Sequence, residues 1–253
     1  MRAFAKINIF LKVTGSRSNY HEIASRFVLV EDLYDEISFV PHASDGLSII
    51  GEFDCTLEQN SIYKAFMALK DASKSSKLDE FAKGFAIKVE KNIPAFAGLG
   101  GGSSDAACVL VALNDKLDLS LSRSQLAEIG SGVGADVPFF VYGYKSANVS
   151  GVGEVVEEFS EDLPRFEIFT PDICISTPEV YRAYRQMFYA PISEQKASDL
   201  MAKSSLDLLQ DLSIFEANDL FAPALHLHPD LAKYQRGDWF FSGSGSSFFK
   251  VKK

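Results

Sequence analysis

Between Pro94 and Ala107 the chain reads PAFAGLGGGSSDAA, with four glycines in the five positions 98–102 and a helical pattern directly behind them. Closely spaced glycines let the backbone curl so that several N–H groups face one centre. A helix starting there adds its own unpaired N–H groups and the positive end of its dipole. Together these suit a polyphosphate. Ser103 or Ser104 is the expected cap, Asp105 falls in the first turn, and Val109, Leu110, Leu113 and Leu117 form the expected buried face. A merely flexible loop would not explain glycines that lead straight into a helix start. A Walker A loop needs a lysine after its glycines, and none follows here. A Rossmann turn belongs directly after a first strand, with an acid about twenty positions later. What remains is a nucleotide phosphate loop of another type.

The flanking pattern is mixed α+β. Phe4 to Val13, Phe27 to Val30 and Glu36 to Val40 read as strands separated by polar turns. Asn60 caps a helical pattern to about Ser73, with Ile62, Phe66 and Leu69 on one face. Phe85 to Ile93 alternates like a half-buried strand that Pro94 stops, and Ser122 opens a short helix. Val137 to Tyr142 and Val149 to Phe159 read as further strands. Polarity rises at Glu161 to Pro164, which predicts a boundary between segments 1–160 and 161–253. Beyond it, Thr177-Pro178-Glu179 has the order cap, first-turn proline, first-turn acid. A helical pattern covers Ser198 to Leu209, and Trp239 to Phe241 and Phe248 to Val251 flank a Gly/Ser loop.

Composition narrows the class. A net charge of −9 with scattered basic residues argues against nucleic-acid binding, since little here would displace counterions from a phosphate backbone. An anionic ligand must then be held by local features. Cys55, Cys108 and Cys174 form no CxxC pattern, which predicts buried free thiols in a reducing compartment. Lys6, Asn8 and Lys12 interrupt the N-terminal apolar stretch, so it does not read as a signal peptide, and no run reaches membrane-spanning length. The expectation is a cytoplasmic protein, a monomer or weak homodimer, with no nucleic acid or membrane as partner.

The loop GLGGGSSDAA resembles the second signature of the galactokinase, homoserine kinase, mevalonate kinase and phosphomevalonate kinase (GHMP) superfamily. Ala5-Lys6-Ile7-Asn8 is similar to its first signature, and Ser242-Gly243-Ser244-Gly245-Ser246-Ser247-Phe248 to its third, in the same order along the chain. The resemblance implies a two-domain GHMP kinase fold. Its N-terminal half would be like the second domain of ribosomal protein S5, and its C-terminal half an abbreviated ferredoxin-like domain with one sheet edge less covered. It also implies ATP and Mg²⁺ as cofactors, with Pro94, Gly98, Leu99, Gly100, Gly101, Gly102, Ser103 and Ser104 at the phosphates. Asn60, Ile62 and Lys91 would lie at the adenine.

Within that superfamily, Lys6 to Leu11, Tyr20-His21-Glu22, Gly132-Val133-Gly134-Ala135-Asp136-Val137-Pro138-Phe139-Phe140 and SGSGSSFF resemble one branch. Its substrate is a cytidine diphosphate-linked sugar alcohol of the non-mevalonate isoprenoid route, phosphorylated on its 2-hydroxyl. The resemblance implies Asp136 as base and Lys6 as its partner, and Asn8, Tyr20, His21, Thr177, Tyr181, Gly243, Ser244 and Gly245 at the substrate. Phosphoryl transfer to an alcohol needs positioning, charge neutralisation and a proton acceptor, which these residue types supply. Plainer readings stand beside these roles: Asp136 as a turn acid, Lys6 as an edge-strand charge, Tyr181 as core packing against Tyr184. Asn218-Asp219-Leu220 reads equally as a capping segment, His226 and His228 as surface histidines without a third metal ligand, and the acids from Glu157 to Asp162 as solvated. A Ser18-Asn19 pair stands where that branch has Asp-Gly, and Asn19 can take the left-handed backbone a glycine would provide. The rival functions are a homoserine- or mevalonate-type kinase, a non-catalytic ligand sensor on the same fold and, more distantly, a nucleotide-dependent oxidoreductase.

Overall fold

A computed structural model of the chain describes residues 1–252, which divide into two compact units, each assembled from separated stretches of sequence. One comprises Met1–Ala5, Glu31–Ile93 and Gly101–Gly143, the other Lys6–Val30, Pro94–Gly100 and Tyr144–Lys253. The single cut expected at residue 160 is a division of another kind, because the chain enters and leaves each unit more than once.

Two long strands contribute to both units: β1 (Arg2–Arg17) and β2 (Tyr20–Pro41), paired with each other and joined by the turn at Ser18-Asn19. The left-handed residue of that turn is Ser18 (φ 56°), not Asn19 as expected. A positive φ at the first central residue alone is the type II′ pattern that matches strand twist. The polar turn expected within β2 is absent. Glu31-Asp32-Leu33-Tyr34-Asp35 contains no glycine or proline to turn the chain. Glu31 and Asp32 simply face solvent while Asp35 is buried.

In the first unit, β4 (Phe85–Glu90) runs antiparallel to the second half of β2, with Ile37 opposite Val89 and Phe39 opposite Ile87. The short β3 (Ser48–Ile50) adds on parallel to β4. Five helices build the core: α1 (Ser61–Ser73), α2 (Lys77–Gly84), α3 (Gly101–Lys116), α4 (Arg123–Ser131) and α5 (Val137–Tyr142). Ile62, Phe66 and Leu69 of α1 pack with Val109, Leu110 and Leu113 of α3, as their spacing predicts, and Leu126, Val137 and Val141 complete the cluster. Asn60 caps α1 by accepting from the Ile62 N–H at 2.9 Å. Ser122 and Gln125 form a reciprocal capping box on α4.

Val137 to Tyr142 is a helix, not the strand expected. An apolar run of this length reads alike as buried strand or buried helix. Pro138 in the first turn, where no N–H is needed, and left-handed Gly143 behind it (φ 73°) decide for the helix. Likewise α3 starts at Gly101, so Ser103 and Ser104 lie inside its first turn rather than at the cap.

In the second unit, the first half of β2 pairs antiparallel with β5 (Ser146–Gly151), and β5 with β6 (Val155–Glu158). The single strand expected from 149 to 159 is therefore a hairpin, turned where Gly151 and Gly153 take positive φ. A separate antiparallel sheet has the order β7 (Phe166–Phe169), β9 (Phe248–Val251), β8 (Phe240–Phe241). Around it lie α6 (Thr177–Ala183), α7 (Glu194–Ala202), α8 (Ser205–Asp211), α9 (Ile214–Ala217) and α10 (Phe221–Leu227). The helical pattern expected over 198–209 falls on α7 and α8, with Ser204 capping the second. Ser176, not Thr177, holds the cap position of α6.

Arg26 is wholly buried in this unit. It donates to Glu161 Oε1 (3.2 Å), Asn148 Oδ1 (2.8 Å) and the Met201 carbonyl (2.7 Å), and its guanidinium lies 3.4 Å from the Phe159 ring centre. Glu161 also accepts from Ser146 Oγ, Ser205 N and Ser205 Oγ, so it is a buried anchor rather than part of a solvated acidic patch. The three thiols are free, but Cys55 and Cys174 sit exposed in loops and Cys108 is half-covered, which corrects the expected burial. Among the described residues, no helix is long and apolar enough to cross a membrane.

Candidate active site

In the second unit, β1 carries Lys6 and Asn8 inward on alternate positions, both nearly inaccessible. The Lys6 ammonium donates to Asn8 Oδ1 (2.7 Å) and to the Gly98 carbonyl (3.0 Å), and faces the Phe27 ring at 4.8 Å. Asn8 in turn donates to Ser25 Oγ at 3.0 Å. The backbone N–H of Lys6 bonds the Leu99 carbonyl at 2.9 Å. An edge-strand charge would be solvated, whereas this ammonium is buried, with the Asn8 amide oxygen and the Gly98 carbonyl among its partners.

Gly98 ties this strand to the Gly/Ser turn near the end of the chain. Its φ is +73°, and a Cβ there would stand 2.1 Å from the Ser242 carbonyl oxygen. Ser242 Oγ donates to the Gly98 carbonyl (3.1 Å) and the Ser247 N–H to the Ala97 carbonyl (3.0 Å). A Cβ on Gly243 would meet Gly98 O at 3.1 Å and Asn8 Oδ1 at 3.3 Å. Gly243, Ser244 and Gly245 are thus buried, and within this unit they pack against the entrance of the phosphate loop. Pro94 lies exposed at the head of that loop.

From Ser244 a further link runs outward. Its hydroxyl shares a 2.6 Å hydrogen bond with Thr177 at the start of α6. One turn on, Tyr181 stacks against His21, with ring centres 5.1 Å apart and planes inclined by 26°. Tyr184 and Tyr189 close on the same imidazole at 5.5 and 6.4 Å. His21 is buried and its Nε2 has no hydrogen-bond partner. Burial, with a smaller effect from the Arg185 charge, holds its pKa below the usual histidine value, so the ring is neutral at pH 7. Tyr20, expected at the same subsite, is 68% exposed.

Gly100, which ends the second unit's loop segment, has φ +73°. In the first unit, α3 starts at Gly101, where a Cβ would press on Ile93 at 2.9 Å. A Cβ on Gly102 would meet Ser61 Oγ at 3.3 Å, beside the start of α1 where Asn60 and Ile62 are buried. Ser103 Oγ lies 3.5 Å from the Cβ position of Gly134, which brings the phosphate loop and the GADVPFF segment into contact. Asp136 occupies the cap position of α5, and its carboxylate makes no capping bond.

Lys91 was expected at the adenine. Its ammonium is shared by the buried carboxylates of Asp35 and Asp105. Asp35 also accepts the N–H groups of Asn92 and Ile93. Sequence reading missed Asp35 altogether, because an acid inside a long strand carries no motif. Its only signal was its place between apolar positions. Among the described residues, no group of three or more His, Cys, Asp or Glu converges as a metal site.

The GHMP kinases N terminal domain profile matches residues 60–144. This is the segment that runs from the α1 cap through the phosphate loop to the end of α5. A 4-diphosphocytidyl-2-C-methyl-D-erythritol kinase of Sulfurimonas denitrificans is 56% identical over 100% of this chain and 96% of its own length. One of Sulfurovum sp. is 46% identical over 100% and 98%. The crystal structure of a 4-(cytidine 5′-diphospho)-2C-methyl-D-erythritol kinase superposes with a TM-score of 0.75 at 32% identity, covering 100% of this chain and 90% of that one. The fold is that of the GHMP kinases. Within them, the chain belongs to the family of 4-diphosphocytidyl-2-C-methyl-D-erythritol kinases.

Proposed function

We propose that this protein transfers the γ-phosphoryl group of ATP to the 2-hydroxyl of 4-diphosphocytidyl-2-C-methyl-D-erythritol. The hydroxyl oxygen forms a bond to γ-phosphorus as the bond to the β–γ bridging oxygen breaks, and ADP leaves with that electron pair. Asp136 takes the hydroxyl proton, and Lys6 supplies positive charge to the oxygens on which negative charge builds. The amides and hydroxyls from Gly98 to Ser104 hold the phosphates. Asn60, Ile62 and Lys91 take the adenine side, and Asn8, Thr177 and the Gly243–Gly245 turn the acceptor side. The donors at the start of α3 are N–H groups and hydroxyls, a set suited to phosphate oxygens rather than to a caged cation. Mg²⁺, held largely by phosphate and water, fits such a site and would neutralise phosphate charge when bound with ATP. The acidic surface and free thiols accord with a cytoplasmic enzyme, monomeric or weakly dimeric.

One observation carries the choice of substrate. The neutral, buried His21 has an unpartnered Nε2 inside an aromatic wall, and an unpaired buried polar atom is costly unless a ligand completes it. A pyrimidine offers both a face for Tyr181 and an edge for that nitrogen, whereas homoserine and mevalonate offer neither.

The test is a coupled ADP-release assay with the cytidylated substrate, homoserine, mevalonate and galactose in parallel, on wild type and Asp136→Asn. Turnover of the cytidylated compound alone, falling by about 10²–10⁴ in the variant, is the expected result. Turnover of another acceptor would overturn the role of His21, and ATP binding without any turnover would favour the ligand sensor.

A further inference from the structure

Asn218 lies in none of the three signatures, yet it is 1% exposed and touches the elements that carry two of them. The segment around it is laid parallel along β1, bridging at Leu11, and the Asp219 N–H bonds the Leu11 carbonyl at 3.0 Å. Asp219 itself pairs with the Lys12 ammonium and accepts the Val13 N–H at 2.8 Å. This places Asn218 beside the strand that carries Lys6 and Asn8.

Its amide is fully used. Nδ2 donates to the Phe241 and Gly243 carbonyls, both at 2.9 Å, and Oδ1 accepts the Leu220 N–H at 2.8 Å. A capping role would need only the last of these. The two donated bonds grip the Gly/Ser turn on either side of Ser242, whose hydroxyl and backbone bond to Gly98 and Ser247. Gly98 is one acceptor of the Lys6 ammonium, and Gly243 backs directly onto Asn8, another.

We propose that Asn218 is a positioning residue for the phosphoryl transfer: by clamping the Gly/Ser turn it fixes Gly98 and Asn8, two acceptors that help aim the Lys6 ammonium. It touches no reacting atom. The proposal deepens the functional reading above and rests on it for its kinetic consequence, though not for its structural one. No other side chain of similar size offers two donors and one acceptor in that arrangement. In Asn218→Asp a carboxylate oxygen would face two carbonyl oxygens, and in Asn218→Ser one hydroxyl would replace the two-donor clamp.

The experiment compares wild type, Asn218→Ser and Asn218→Asp in three readouts: steady-state kinetics well below each melting temperature, ADP affinity, and hydrogen exchange of the amides from Gly243 to Ser247. The expected result is a kcat lower by at least thirtyfold in both variants, with ADP affinity within threefold of wild type. Exchange of the turn should be at least tenfold faster. A folded variant with lowered melting temperature but unchanged kcat, or with unchanged exchange in the turn, would overturn the proposal. Asn218→Ser keeps the test open should Asn218→Asp not fold. If wild type shows no turnover, the functional reading fails, while the exchange measurement still decides whether Asn218 holds the turn.

Discussion

Lys91 Nζ stands 2.7 Å from Asp105 Oδ2 while it also pairs with Asp35, so one half-buried ammonium serves two buried carboxylates at the start of α3. With both carboxylates ionised the cluster would carry one negative charge in excess, and Asp105 Oδ1 has no hydrogen-bond partner. Burial is the largest influence on Asp105 and raises its pKa to about 7, against the attraction of Lys91 and with the help of the Asp35 charge. The folded protein therefore keeps a proton that the unfolded chain releases near 3.8. The contribution of Asp105 to stability is most favourable below that value and declines as pH rises toward 7, by at most about 1.4 kcal/mol per pH unit. Asp105→Asn should flatten this slope, and urea titrations at pH 5, 6 and 7 would show it. Parallel wild-type and variant curves would rule it out.

His21 gives the opposite sign. Its pKa is lowered by burial and by the nearby Arg185 charge, so the unfolded chain binds a proton that the folded chain refuses. This contribution to stability is complete above pH 6.5 and is lost as the pH falls below it. His21→Phe should remove that acid sensitivity. The same change should raise KM for the cytidylated substrate about tenfold, the cost of one hydrogen bond, and leave KM for ATP in place. Equal effects on the two substrates would contradict the assignment.

Phe96 is 55% exposed and has φ +53°, a conformation that strains any residue with a Cβ. Phe96→Gly should raise stability by about 1 kcal/mol, read as a higher denaturation midpoint with an unchanged slope. A lower midpoint would show that the ring is anchored by contacts that outweigh the strain.

Arg26→Met should destabilise the protein by on the order of 3 kcal/mol, because Glu161 would keep its hydroxyl and N–H donors but lose its countercharge. Adding Glu161→Gln should recover part of the loss. Strict additivity of the two changes in thermal unfolding would mean the pair is not coupled.

The elements legible in the sequence were those marked by local chemistry. Asn60 before an amphipathic run, Ser122 three residues before Gln125, and the glycines ahead of α3 each satisfy backbone groups near themselves. The misread elements depend on distant partners. Val137 to Tyr142 is apolar all round, so only Pro138 and Gly143 distinguish helix from strand. Continuity of β2 through its acidic stretch depends on Asp35 finding Lys91 and two N–H groups far along the chain. The site showed the same division: the motif residues were visible as patterns, whereas Asp35, Glu161 and the clamp at Asn218 act through long-range contacts. The exposure of Tyr20 follows from packing that no local pattern encodes.

The missing Cβ of Gly98 leaves room for Ser242, and that contact joins the loop to a turn 144 residues further along the chain. On the ribosome, the segment from Pro94 to Gly100 emerges long before the residues that brace it. A nascent chain can gather the helices of its first unit early, but the loop entrance has no Ser242, Gly243 or Ser247 to rest on until the ribosome has passed Ser247. The bracing of this loop therefore comes well after the loop itself is made, timed by the order in which the chain is synthesised.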